Sequence, residues 1–337
     1  VTTDRLLHLI DRFTKPAIVV FGDLIADEFV YGRVARVSRE APVLILEYDS
    51  TEVLPGGAGN AANNAASLGG RVSLVGLAGR DEPGRRLLAA LHRKVARNAV
   101  VQPRDYQTPV KTRILAGGIH SAKQQVVRID RRSESVGAAD RTRVERAVAR
   151  ALRQADALLV SDYGSGLVTP ALVRSLASQI RRAGRQTPVL VDSRYALTRY
   201  AGLTACTPNE SEVEQVLGIR IDDQPRVLER AGRTLLERTK MDAVLITRGS
   251  RGMALFEPQK ATVHIPIFGS DQIADVTGAG DTVMATMTLA LAAGATFEEA
   301  ARLANYAGGL VVMKRGTATV TADELRGAVQ ADSARAL

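Results

Sequence analysis

Asp275-Val276-Thr277-Gly278-Ala279-Gly280-Asp281, followed at once by Thr282-Val283-Met284-Ala285-Thr286-Met287, is the stretch on which the fold turns. The second half reads as helix, and three residues with almost no side chain stand where it begins. A helix start leaves backbone N–H groups without partners, and bare residues leave them open to whatever lies in front, a surface suited to phosphate. An aspartate closing such a run would repel that phosphate if it served only as a cap. Its place suits a base that takes a proton from a hydroxyl beside a γ-phosphate, with neighbouring amides as an anion hole for the developing charge. The alternative is a Gly-rich turn in which Asp281 is an N-cap or first-turn acid.

Upstream of this stretch, short apolar runs alternate with helical segments. Strands are expected near 72–77, 157–161, 188–192, 203–208 and 243–247, and helices near 84–96, 140–154, 170–184, 209–217 and 224–239; a hairpin near 252–265 and helices near 297–313 and 321–331 complete the last third. Repeated βα units without a Ser/Pro-rich linker predict one doubly wound α/β domain over 1–337. In a parallel sheet the strand ends share one rim, so Asp162, Asp192, Asn209 with Glu212, and Thr247-Arg248-Gly249 are expected to converge there. Asn209 and Glu212, three apart on a first helical turn, could order water around Mg²⁺, or they could simply cap the helix.

The N-terminal third departs from this alternation. Ala17-Ile-Val-Val-Phe-Gly22 reads as a buried parallel strand, with Asp23 and Asp27 at its carboxyl end as candidates for sugar hydroxyls or as solvated loop acids. Residues 29–54 and 109–130 hold β-rich runs with no helix between them, the second broken at Gly117-Gly118; strands without a crossover helix predict an antiparallel excursion, suited to a lid whose open edges call for a second subunit. Pro55-Gly56-Gly57-Ala58-Gly59-Asn60 then opens an Ala-rich helix ended by Gly69-Gly70. Bare backbone at Gly56 and Gly57 would let a polyhydroxylated ligand approach, with Asn60 offering a donor and an acceptor; a structural strand-to-helix turn is the rival.

Composition narrows the function classes. The chain has 337 residues, 45 % hydrophobic but only 4 % aromatic and without Trp, which favours sheet-and-helix layers over a sandwich. Net charge is +9, yet the basic residues are dispersed and not interleaved with aromatics, so an anionic small molecule is expected rather than nucleic acid. A single cysteine, Cys206, excludes an intrachain disulfide framework, and the four histidines, His8, His92, His120 and His264, lack metal-ligand spacing. No apolar run approaches membrane-spanning length and the first residues lack a signal-peptide core, which predicts a soluble cytoplasmic protein with no membrane partner.

Together these motifs resemble the ribokinase (phosphofructokinase B) family over nearly the whole chain. Asp275–Asp281 is similar to its C-terminal signature, Gly56-Gly57-Ala58-Gly59-Asn60 with Gly76–Asp81 to its N-terminal one, and Asn209-Glu210-Ser211-Glu212 to its NxxE element, in the family's order. The resemblance implies a three-layer α/β/α fold with a small β lid and ATP-dependent phosphorylation of a sugar hydroxyl. It implies Asp281 as base; Gly278, Ala279 and Gly280 as anion hole; Asp27, Gly56, Gly57 and Asn60 as sugar site; and Asn209, Thr247, Gly249, Gly280 and Asn305 as nucleotide site. Asn209 and Glu212 would organise Mg²⁺, and Asp275 and Thr277 a monovalent cation such as K⁺.

Further stretches resemble the branch of the family that phosphorylates a heptose 7-phosphate at its anomeric hydroxyl for lipopolysaccharide precursor synthesis. They include Arg36–Val43, Gln124–Asp130, Ser161-Asp162-Tyr163 and Gly316-Thr317-Ala318-Thr319-Val320. The sugar phosphate needs a basic clamp, for which Lys111, Arg113, Lys123 and Arg128 are the candidates. Many relatives carry a second, nucleotidyltransferase domain; with no HxGH in the chain, a stand-alone kinase acting as a lid-mediated homodimer is expected. Two departures stand out: Asp192-Ser193-Arg194 where Asp-Pro-Lys is usual, and Arg315 where an apolar residue is usual.

Overall fold

Apolar side chains along the central strands alternate between two cores, as the two-residue period of a strand requires. Ile18, Val20, Leu74, Leu159, Leu190 and Leu245 belong to one core, and Val19, Phe21, Val75, Leu158, Val160, Val191, Val244 and Ile246 to the other. A sheet buried on both faces needs a helical layer on each, and the chain supplies both. The computed structural model describes residues 1–117, 123–133, 136–269, 275–314 and 316–335. Gly118, His120 and Arg315 lie outside the described residues.

In chain order the elements are α1 (Thr3–Asp11), β1 (Ala17–Gly22), β2 (Leu24–Val37), β3 (Leu44–Gly57), α2 (Ala58–Ser67), β4 (Arg71–Leu77), α3 (Glu82–Ala89), β5 (Val95–Ala96), β6 (Val100–Val101), β7 (Val110–Gly117), β8 (Gln124–Arg131), α4 (Ala138–Ala151), β9 (Ala157–Asp162), α5 (Pro170–Arg182), β10 (Val189–Ser193), β11 (Ala205–Cys206), α6 (Glu210–Leu217), α7 (Pro225–Thr239), β12 (Ala243–Thr247), β13 (Met253–Phe256), β14 (Val263–Ile265), α8 (Ala279–Ala292), α9 (Phe297–Val311) and α10 (Ala322–Arg335). The main sheet runs β14-β13-β12-β11-β10-β9-β1-β4-β5, with β6 on the far end of β4. Within it β5, β4, β1, β9, β10, β11 and β12 pair in parallel, and β13 and β14 close the edge antiparallel. Helices α1, α2, α8, α9 and α10 pack on one face and α4 to α7 on the other, giving the expected three-layer α/β/α architecture.

Strand β1 lies between β4 and β9, so the chain leaves it first to one side and later to the other. That topological switch opens a crevice at the carboxyl ends of β1 and β9, where Asp23 and Tyr163 sit. A second, four-stranded sheet, β3-β2-β7-β8, rises from the same rim. It begins two residues after β1 ends and returns directly into α2, so the lid is rooted in the site. Strands β2 and β3 are longer than the runs read from sequence, because Leu24–Glu28 and Val53–Gly57 continue the ladder down to the main sheet. The helix expected over 84–96 stops at Ala89, and only Ala205–Cys206 of the expected 203–208 strand pairs. The N-terminal helix α1 was not anticipated; Thr2 caps it and Leu6, Leu9 and Ile10 are buried.

Candidate active site

Helix α8 is buried from Asp281 through Ala290, so its start is fixed in the core rather than at the surface. Its N-cap is Gly278 at φ +79°, a left-handed conformation, and a Cβ there would fall 2.4 Å from Asn60 Nδ2. No side chain caps the helix. Among the described residues the N–H groups of Gly280 and Asp281 find no acceptor, and a Cβ at Gly280 would meet nothing within 4 Å. The open, donor-rich helix start expected from the sequence is therefore present.

Asp281 is not the cap of that turn. Its Oδ2 accepts from Asn60 Nδ2 at 2.8 Å and its Oδ1 from the Tyr163 hydroxyl at 3.2 Å. Asn60 is itself held: its Oδ1 accepts from Asn64 Nδ2 at 3.0 Å, and Asn64 Oδ1 accepts from Thr282 Oγ1 at 3.0 Å. This chain of amides between α2 and α8 explains two polar residues buried on an Ala-rich helix. At 4 % exposure, burial pushes the Asp281 carboxyl up to about 6, with nearby Asp27 adding to the rise and the Asn60 and Tyr163 hydrogen bonds and Arg194 opposing it. Such a group is ionised at neutral pH yet basic enough to accept a proton.

Two cavities meet beside it. The first, about 330 Å³, is lined by Asp281, Gly278, Ala279 and Gly280 at one end and by Asn209, Thr247, Gly249 and Asn305 along its length. The second, about 490 Å³, lies between the rim and the lid and is lined by Lys111, Arg128, Arg131, Arg132 and Arg194, against Asp23 and Asp130. Among the described residues, only Tyr163 and Arg194 line both. The Tyr163 ring has Lys111 Nζ 4.5 Å and the Arg194 guanidinium 5.1 Å from its centre. Cations dominate the second cavity, which suits an anionic occupant.

Asp192 and Glu212 face the first cavity. Burial and then the charge of Glu212 drive Asp192 well above the ordinary carboxylate range; burial also raises Glu212, against Asn209 and Arg194. Asn209 and Glu212 form a reciprocal capping box on α6, at 2.9 and 3.0 Å, so the helix-cap alternative holds for Asn209. Only one Glu212 oxygen is used there. Asp275 accepts from the Thr277 and Gly316 N–H groups at 2.8 and 3.1 Å, tying the loop before α8 to the one after α9. Among the described residues no three His, Cys, Asp or Glu side chains form a metal-binding group, and Cys206 is buried.

The remaining sequence candidates separate. Lys111 and Arg128 line the second cavity, Arg128 in a bidentate pair with Asp130 at 2.7 Å, whereas Arg113 pairs with buried Asp27 at 2.6 Å and Lys123 pairs with Asp49. Asp27, Gly56, Gly57 and Asn60 form the floor between lid and α2 without lining either cavity. Gly56 is required there, since its Cβ would lie 2.1 Å from Asp27 Oδ2. Asp192, expected on the rim, and Arg194, noted in place of the usual lysine, both line the first cavity, whereas Tyr163 was missed as a site residue. The signal available was position alone, immediately beyond apolar strand runs; nothing local marks Tyr163 as a partner of a residue 118 positions away.

The pfkB family carbohydrate kinase model matches residues 15–324. The chain is 40 % identical over 333 residues to the "Bifunctional protein HldE" of Caulobacter sp. (strain K31), covering 98 % of this chain and 66 % of that protein. It is 42 % identical over 314 residues to the same-named protein of Geobacter metallireducens, covering 92 % and 62 %; it thus spans about two-thirds of their length or less. Among solved structures, Arabidopsis thaliana ribokinase complexed with ribose and ATP superposes with a TM-score of 0.73 at 21 % identity, covering 94 % of this chain and 99 % of that one. Phosphofructokinase-2 from Escherichia coli in complex with potassium gives 0.74 at 20 %, covering 95 % and 99 %. With the ribokinase-like fold and the helix-start loop in place, the chain belongs to the pfkB family of carbohydrate kinases.

Proposed function

We propose that the chain transfers the γ-phosphoryl group of ATP to the anomeric hydroxyl of a heptose 7-phosphate, giving the 1,7-bisphosphate used in making the activated heptose of lipopolysaccharide. The observation that carries the reading is a buried, doubly hydrogen-bonded Asp281 beside an open helix start, next to a second cavity lined by five cations. A cation-rich acceptor cavity favours a phosphorylated sugar over a neutral one such as ribose. The identity to HldE proteins and the heptose-kinase stretches favour a heptose as that sugar phosphate.

In this reading Asp281 takes the proton of the acceptor hydroxyl as its oxygen bonds to the γ-phosphorus; the bond from that phosphorus to the β–γ bridging oxygen breaks, and ADP leaves. The loop of Gly278, Ala279 and Gly280 faces the charge that develops, its open donors being the N–H groups of Gly280 and Asp281 while that of Ala279 donates to Val276 at 3.3 Å. Asn209, Thr247, Gly249 and Asn305 line the nucleotide cavity, and Lys111 and Arg128 with Arg131 and Arg132 hold the sugar phosphate. Asp27, Gly56, Gly57 and Asn60 hold its hydroxyls, with Arg113 kept as the counter-ion of Asp27. Two repelling carboxylates in one cavity, Asp192 and Glu212, fit a divalent cation held largely through water, and Mg²⁺ there supplies charge neutralisation for the phosphates. Asp275 and Thr277 suit a monovalent cation, since the buried Thr317 hydroxyl beside Gly278 has no hydrogen-bond partner among the described residues.

The four-stranded sheet acts as a lid over the sugar and as the contact between two copies. Val34, Val37, Leu44, Tyr48, Val126, Val127 and Ile129 are large apolar side chains exposed on it. ADP release with heptose 7-phosphate, set against fructose 6-phosphate and ribose at equal concentration, tests the substrate; a preference for either competitor overturns the heptose assignment. Light scattering of the purified chain tests the dimer.

A further inference from the structure

Tyr163 sits where the two cavities meet, on a turn whose next residue, Gly164, has φ +81°. Every part of the residue is placed by a different element. Its backbone N–H donates to buried Asp23 at 2.8 Å; its ring packs against Gly57, where a Cβ would come within 3.4 Å of it; and its hydroxyl reaches Asp281 on α8 at 3.2 Å. Lys111 comes to the ring from lid strand β7 and Arg194 from the loop after β10. The lid, the sheet rim and the base are thus joined through one phenol.

We propose that Tyr163 is a positioning residue for the reaction: with Asn60 it fixes the rotation of the Asp281 carboxylate, and through Lys111 it makes that orientation depend on how the acceptor cavity is filled. The inference rests on Asp281 being the base. Two donors on the two oxygens leave the carboxylate no free rotation, and each oxygen keeps a lone pair for the incoming hydroxyl. A buried phenol held protonated donates without competing for the proton, and burial followed by the charge of Asp281 keeps Tyr163 far above its ordinary value. Among the described residues, the other charged groups facing Asp281 are Asp27 from β2, Asp192 from β10 and Arg194, and the Tyr163 hydroxyl is the only neutral donor that reaches Oδ1.

The test is Tyr163→Phe, which keeps the ring between Lys111 and Arg194 and removes only the hydroxyl. Expected are a fall in kcat of roughly 5- to 50-fold, KM for ATP and for the sugar phosphate within about threefold of the parent, and an acid limb of kcat/KM displaced upward by about one pH unit. The ionisation of the sugar phosphate is common to both enzymes and cancels in the comparison. A variant that melts lower is assayed well below its own Tm, where the acid limb is still readable. An unmoved acid limb, or a loss confined to KM, overturns the positioning role. Asp281→Asn run beside it separates the two ideas: near-normal turnover in that variant removes the base assignment itself, whereas an inactive Asp281→Asn with an unaltered Tyr163→Phe removes only the role of Tyr163.

Discussion

Replacing Asp281 by Asn should make the protein both far slower and more stable, and the stability gain should depend on pH. Loss of a general base costs about 10²- to 10⁴-fold in turnover. The stability term follows from burial, which raises the carboxyl from 3.8 in the unfolded chain to about 6 in the fold. A raised folded-state value means stability that is complete below 3.8 and is lost as the pH climbs to 6. The ionised side chain therefore costs the native state about 3 kcal/mol at pH 8 and about half of that at pH 5. Asparagine carries no such charge: its Oδ1 accepts from Asn60, and the Tyr163 hydroxyl turns to accept from its Nδ2. With about 2 cal/mol/K of unfolding entropy per residue, the Tm advantage of the variant should widen by about 2 °C between pH 5 and pH 8. Thermal melts of both proteins across that range, with ADP release at each pH, read the two effects. A Tm gap that stays flat with pH, or a variant that turns over near normally, would refute the buried-base reasoning.

Gly56→Ala should raise KM for the sugar phosphate by an order of magnitude or more while ATP binding is kept, because the new methyl displaces Asp27 from Arg113; substrate-saturation kinetics and nucleotide binding separate the two. Glu212→Gln should raise the Mg²⁺ concentration needed for half-maximal turnover several-fold and leave an active enzyme at high Mg²⁺, and chelation should abolish turnover in both forms. Gly232→Ala should destabilise by about 1–3 kcal/mol without touching the site, since its Cβ would fall 2.4 Å from the rigid Phe256 ring, and a denaturant midpoint measures it.

What could be read from the sequence was whatever has a local cause. The apolar runs of β1, β9, β10 and β12 are buried on both faces, so each announces itself as a continuous hydrophobic stretch, and the small residues at 278–280 signal a helix start because only bare backbone leaves its donors open. Asp281 was legible for the same reason, standing in that turn. Tyr163 was not, because its role comes from the topology: β9 lies beside β1, a neighbour more than 130 residues earlier, and only that adjacency turns a strand-end tyrosine toward α8. Arg113 failed as a free clamp for a related reason. Whether a lid cation is available depends on where its side chain turns: Asp27 lies opposite Lys111 and Phe29 opposite Arg113 in the β2–β7 register, yet it is Arg113 that reaches across to pair with Asp27, while Lys111 lies over the ring of Tyr163. Two basic residues on one face of one strand are thus divided into an internal counter-ion and a charge left facing the acceptor cavity, and it is that division, more than the number of cations, that makes the second cavity receptive to an anion.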